Sequence, residues 1–138
     1  MKLSTKSQYA LEALLDLLIH GGGCPEPIPA IARRRGVSEP YLEQIFASLR
    51  KAGIVKSVRG VQGGYLLVGD PAAVTAGSVI RALEGPMSPV KCVSCEDGAG
   101  CPMVQRCPTR WLWVRVADEI DSAIDNVTLA DLIKACNT

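Results

Sequence analysis

Four cysteines stand close together in the segment KCVSCEDGAGCPMVQRCPTR, at Cys92, Cys95, Cys101 and Cys107. Cys92 and Cys95 form a C-x2-C pair, while Cys95, Cys101 and Cys107 repeat as C-x5-C-x5-C. Thiolates are soft ligands, suited to zinc, copper(I) or an iron–sulfur cluster rather than to magnesium or calcium. A structural zinc site usually joins two close ligand pairs. One close pair followed by two long arms reaches around an object wider than a single ion, which favours a cluster. Gly98, Gly100, Pro102 and Pro108 let the intervening chain curl so that several sulfurs aim at one point. A disulfide-bonded loop and four unconnected thiols are the alternatives, and the first is disfavoured in a reducing compartment.

The elements that would position these thiols follow from the rest of the chain. Its 138 residues are 48% hydrophobic, enough for one domain with a real core. Nothing reads as a signal peptide or a membrane span, because Glu12 and Asp16 interrupt the apolar run Ala10 to Ile19, so a cytoplasmic location is expected. The net charge of +1 divides unevenly: residues 1–60 hold nine Lys and Arg against five acids, and residues 61–138 hold six against nine. A basic front half suits a polyanionic partner. There is no glycine-rich phosphate loop, no serine–histidine–acid set and only one histidine, which argues against an enzyme.

Apolar periodicity predicts a first helix from Thr5 to His20, with Tyr9, Ala10, Ala13, Leu14, Leu17 and Leu18 inward and Lys6, Glu12 and Asp16 elsewhere. His20 is expected to cap carbonyls at its end, and Cys24, in the glycine turn beyond, to act as a small apolar filler. A second helix, IPAIARRR, carries Arg33, Arg34 and Arg35 at its C-terminus, where positive charge suits the helix dipole. Ser38 is the expected N-cap of a third helix, EPYLEQIFASLRKAG, with Leu42, Ile45, Phe46 and Leu49 inward and Glu39, Glu43, Gln44, Ser48 and Lys51 outward. Two helices joined by a short turn, then IVKSV, RGVQGG and YLLV as strand, turn and strand, describe a helix-turn-helix followed by a wing. Arg59 and Gln62 ride on the wing tip.

A fourth helix, AGSVIRALEG, buries Val79, Ile80 and Leu83. Beyond the cysteine segment, Thr109 to Ile124 reads as a long helix apolar on more than one face, more than a small domain can cover. It is therefore assigned to a homodimer interface, with Ile120 and Ala117 in the contact, the alternative being a deeply buried helix of the monomer that little of the remaining chain could cover. Thr128 to Asp131 has the form of a capping box opening a last helix that ends near Cys136. The expected fold is mainly α with a small β-hairpin wing. Its parts are a winged helix-turn-helix over residues 1–84, a cysteine-rich cluster-binding loop over 85–108, and a dimerisation helix with a C-terminal helix over 109–138.

With these elements in this order, the chain resembles the winged-helix transcription regulators typified by IscR, NsrR and CymR. The resemblance is carried by YLEQIFASLRKAGIVKSVRG at Tyr41 to Gly60, by GGYLL at Gly63 to Leu67 and by the C-x5-C-x5-C, and it covers nearly the whole chain. It implies that Cys95, Cys101 and Cys107 are ligands of an iron–sulfur cluster, a two-iron form first and a four-iron form second. It also implies that Glu43 and Gln44 face base edges and that Arg59 enters the minor groove. Ser38, Tyr41 and Lys51 complete the candidate DNA-contacting set. Arg110 stands where one branch of the family has a histidine ligand, and Gln8 where another has an acidic one. A guanidinium does not give up its proton to bind metal. The fourth ligand is thus open between Cys92, equally readable as a spare thiol, and a Gln8 or Glu43 side chain reaching across from the partner subunit. Pro40 also replaces a small polar residue of related recognition helices.

The function this implies is a DNA-binding transcription regulator on a partly palindromic operator, sensing cluster supply, oxidants or nitric oxide. The alternative is a zinc-stabilised or thiol-based regulator acting with a metabolic enzyme, without a cluster.

Overall fold

The computed structural model describes residues 4–94, 100–103 and 105–137. Helix α1 (Thr5–Gly21) is capped by Ser4, whose hydroxyl accepts the Lys6 amide at 3.2 Å, and is closed by Gly22 in the left-handed region. Helix α2 (Ile28–Arg35) begins with proline in its first turn, where no amide partner is lost. Helix α3 (Glu39–Lys51) is capped by Ser38, as expected. Strands β1 (Val55–Val58) and β2 (Gly64–Leu67) pair antiparallel from Val55 opposite Leu67 to Val58 opposite Gly64. A 3-10 turn (Pro71–Ala73) leads to α4 (Ala76–Glu84). Helix α5 (Lys91–Ser94), α6 (Pro108–Asp125) and α7 (Leu129–Cys136) complete the chain.

The core is built from Ala10, Leu14 and Leu17 of α1, Ile31 of α2, Leu42, Ile45, Phe46 and Leu49 of α3, Val55 of β1 and Val79 of α4. Each large side chain removed from water here contributes about 1.5–3 kcal/mol, so α3 is held by its own apolar stripe. Phe46 packs on Tyr65 of the wing with ring centroids 4.9 Å apart. The wing is also stitched to the segment before α2, because Glu26 and Tyr65 exchange backbone hydrogen bonds of 3.0 and 2.9 Å. A side chain at Gly64 would collide with the Glu26 carbonyl, so the close approach requires glycine. Helix α7 returns to α1, with Leu129 fully buried in the same core, and its capping box is present.

Four local expectations are corrected. Asp16 is buried, because Arg34 and Arg35 of α2 cross over it and neutralise its charge. His20 lies 4.0 Å from the Asp16 carboxylate, and among the described residues it caps no carbonyl. Cys24 is exposed and fills no core position. Within the expected cysteine loop, Lys91–Ser94 form one turn of helix, too short to leave an apolar period in the sequence.

Candidate nucleic-acid interface and cysteine segment

Pro40, Glu43, Gln44, Ala47 and Lys51 are all exposed on α3. Their spacing of three and four residues places them along one face, opposite the buried Leu42, Ile45, Phe46 and Leu49. Gln44 offers a paired donor and acceptor, Glu43 an acceptor and Lys51 a cation, while Ala47 keeps the middle of the face low enough for close approach. Sequence reasoning passed over Ala47, and an alanine between polar neighbours on an amphipathic helix is the signal that was available.

Ser38 and Tyr41 stand differently. The Ser38 hydroxyl accepts the Tyr41 amide at 3.3 Å, which leaves its own hydrogen to donate outward. Tyr41 is half-buried, its ring edge-on to Tyr9 at 5.8 Å, and its hydroxyl lies 3.4 Å from the Thr5 hydroxyl. The start of α3 is thereby tied to the start of α1. Arg59 is exposed directly after β1, and Gly63 closes the wing tip by donating to the Gly60 carbonyl at 3.0 Å. Val61, at the tip itself, is fully exposed. An apolar side chain placed where only water meets it, beside Arg59 and Gln62, was not singled out in the sequence.

The basic front half divides into structural and free cations. Arg34 forks onto Asp16 and also donates to Glu26 at 2.6 Å, which holds its pKa above the ordinary arginine range, first through Asp16 and then through Glu26. Arg35 Nε lies 3.3 Å from Asp16. Among the described residues, Arg33, Arg50, Lys51, Lys56 and Arg59 form no ion pair and leave positive charge around α3 and the wing.

In the cysteine segment, Cys95 lies outside the described residues. Cys92 is half-buried on α5, which packs against α6, and Cys101 is exposed. Cys107 is half-buried and precedes α6 as its N-cap. Its Sγ lies 2.9 Å from the Thr109 hydroxyl. The thiol pKa is lowered, first by that hydroxyl, then by the Arg110 and Thr109 amides, with a smaller contribution from the Arg110 guanidinium. Helix N-termini favour a thiolate for the same reason. Cys107 and Arg110 share an open groove of about 480 Å³ with Gln105, Trp111, Val114, Arg115 and Asp118. Among the described residues, Arg110 Nε is buried there without a hydrogen-bond partner. No three His, Cys, Asp or Glu side chains converge as a metal-binding group among the described residues. Gln8 is exposed on α1.

Along α6, Ala117 alone is buried, while Trp111 is 69% and Leu112 45% exposed. Leu112, Val116, Ile120 and Ala123, flanked by Arg115 and Glu119, line an apolar groove of about 390 Å³. The two residues assigned to the interface therefore part company. Ile120 lies in this groove, whereas Ala117 points into its own chain beside Arg81 and Met87.

Known proteins share this arrangement. The profile of the Rrf2 family, described as an iron-dependent transcriptional regulator, matches residues 3–135. The regulator CymR of Bacillus subtilis is 43% identical over 96% of this chain and 89% of its own length. Its solved structure, described as that of the global cysteine regulator, superposes with a TM-score of 0.78 at 41% identity, covering 98% of each chain. The regulator IscR of Yersinia enterocolitica is 42% identical over 96% of this chain and 79% of its own length. The solved structure of T. potens IscR has a TM-score of 0.76 and 41% identity, covering 99% of this chain and 88% of that one. These relatives are transcription regulators and not enzymes, and their shared architecture is the mainly helical winged fold described above. No helix among the described residues is long and apolar enough to cross a membrane. The chain belongs to the Rrf2 family of DNA-binding transcription regulators.

Proposed function

We propose that this regulator is a cytoplasmic homodimer that reads a partly palindromic operator and is controlled by an iron–sulfur cluster held in the cysteine segment. The observation that carries the cluster reading is the setting of Cys107. Its surroundings favour a thiolate, and the partnerless Arg110 Nε in the same groove needs an acceptor. A negatively charged, sulfur-ligated group suits both. Cys95, Cys101 and Cys107 would hold it, with the fourth ligand either Cys92 or a Gln8 or Glu43 side chain reaching across from the partner subunit. When bound, such a group supplies a centre reactive toward oxidants and nitric oxide.

The chain's own residues do the rest. Gln44 and Glu43 face base edges from α3, and Lys51 and Ser38 reach the backbone. Tyr41 fixes the start of the helix, and Arg59 enters the minor groove from the wing. The apolar groove along α6 is covered by the partner's α6.

A second reading has its own support. The lowered thiol pKa of Cys107 equally suits a regulator that works through thiols without metal, and CymR is among the similar proteins. Iron and absorption measured on anaerobically purified protein separate the two. Brown protein with charge-transfer bands, lost in Cys101→Ala and Cys107→Ala, supports the cluster. Colourless, iron-free protein that still binds its operator supports the thiol reading, and stoichiometric zinc supports a structural metal.

A further inference from the structure

Helix α6 is fastened to the winged helix through its C-terminal half. Arg81 of α4 forks onto Asp125, Nη1 donating to Oδ1 at 2.8 Å and Nη2 to Oδ2 at 2.7 Å, and Nη2 also donates to Asp121 Oδ1 at 3.0 Å. A planar two-point pairing fixes orientation as well as distance, which a lysine ammonium does not. The Asp125 carboxylate lies over the first turn of α4, where the helix dipole favours negative charge. Gly77 makes room for it, since a methyl group there would collide with Asp125 Oδ1. Just beyond the fork, the Ala76 amide donates to the Val127 carbonyl at 2.7 Å, and the Leu129 amide to the Val74 carbonyl at 2.9 Å.

The other end of α6 differs. It begins at Cys107 and carries the exposed Trp111 and Leu112. Eighteen helical residues span about 27 Å, so a turn of about 5° around a fixed end moves the free end by roughly 2 Å. As a stabilising device the fork is weak, because Arg81, Asp121 and Asp125 are 34%, 44% and 42% exposed and such pairs contribute little. Its geometry is the specific feature.

We propose that the fork of Arg81 on Asp125 and Asp121, seated against Gly77, is the pivot that sets the angle between α6 and the DNA-reading helices. In a dimer joined along α6, that angle fixes the separation of the two α3 helices. Arg81 and Gly77 are then positioning residues for operator spacing. The proposal rests on the α6 dimer reading above. Helix α4 transmits the angle because it packs on α1 and α3, and Glu84 at its end accepts hydrogen bonds from Ser4 and Ser7 of the α1 start.

The test selects palindromic duplexes from a random library with the wild-type dimer, then varies the spacer by one and two base pairs. Wild type should prefer one spacer by about ten-fold, because half-site separation mirrors the geometry of the dimer. Arg81→Met and Gly77→Ala should flatten that preference to below about three-fold, with Arg81→Lys between, while sedimentation still shows a dimer and affinity for an isolated half-site is unchanged. If Arg81→Met does not fold, Asp125→Asn, which keeps the side-chain size, is read in its place. An unchanged spacer preference, or an equal loss on every spacer and on the half-site, overturns the pivot. A wild-type chain that sediments as a monomer overturns it too, and is told apart because the dimer reading fails with it.

Discussion

Arg34 grips Asp16 with its Nε 2.9 Å and its Nη2 2.6 Å from the same carboxylate oxygen, on a side chain with no exposure to water. The contact joins α1 to the first helix of the helix-turn-helix. Through Glu26, which Arg34 also holds, it reaches the loop that pairs with Tyr65 of the wing.

Removing one partner of a buried ion pair leaves an uncompensated charge, at roughly 3–5 kcal/mol when nothing replaces it. Arg35 remains beside Asp16 in Arg34→Met, so a loss of about 2–3 kcal/mol is expected there. The urea midpoint should fall with an unchanged slope. A midpoint equal to that of wild type would show that Arg34 is dispensable to the fold.

Among the described residues Arg59 forms no ion pair at the wing tip, which leaves its guanidinium available to DNA. Arg59→Ala should weaken operator binding by about 1–3 kcal/mol in a footprinting titration and lower the salt slope by about one. Equal binding by both proteins places the wing off the DNA.

The apolar face of α6 gives a paired prediction. Ile120→Glu puts a charge into the groove with Leu112, Val116 and Ala123 and should yield folded monomers in sedimentation. Ala117→Glu instead buries a charge inside one chain and should lower the melting temperature of the subunit. A folded Ile120→Glu dimer would move the interface elsewhere.

Acid sensitivity follows from three carboxyls whose pKa values are lowered on folding. Glu84 is held down first by the Ser4 hydroxyl, Asp125 by Arg81, and Asp131 by the Thr128 amide. A lowered carboxyl pKa adds stability that is complete above the unfolded value, about 4, and is lost as pH falls through the folded value. Urea midpoints should therefore hold from neutral pH down to about 5 and drop below about 4, with a shallower drop in Glu84→Gln. Superimposable pH profiles for the two proteins would remove Glu84 from this account.

Most of the fold was legible because its helices carry strong signals. The stripe Leu42, Ile45, Phe46 and Leu49, the caps at Ser38 and Thr128, and the alternation around RGVQGG each act locally, so a one-dimensional reading reaches them. What escaped depends on partners far along the chain. Asp16 reads as a surface acid until α2 folds its arginines over it, and Gly77 reads as a weak helix position until Asp125 arrives from α6. In the candidate site, Glu43 and Gln44 were placed outward by helical periodicity, and Arg59 by its position in the turn between two strands. The lowered Cys107 thiol and the partnerless Arg110 Nε depend on three-dimensional surroundings that spacing does not encode.

The central claim is that the state of the cysteine segment changes the grip on DNA, and operator affinity of one preparation before and after removal of its iron tests it most directly. Coupling between two sites is typically about 1–3 kcal/mol, so the iron-loaded and iron-free dimers should differ in affinity by about 5- to 150-fold at fixed salt. The difference should vanish in Cys107→Ala. Equal affinities for the loaded and iron-free wild-type dimer would contradict the account.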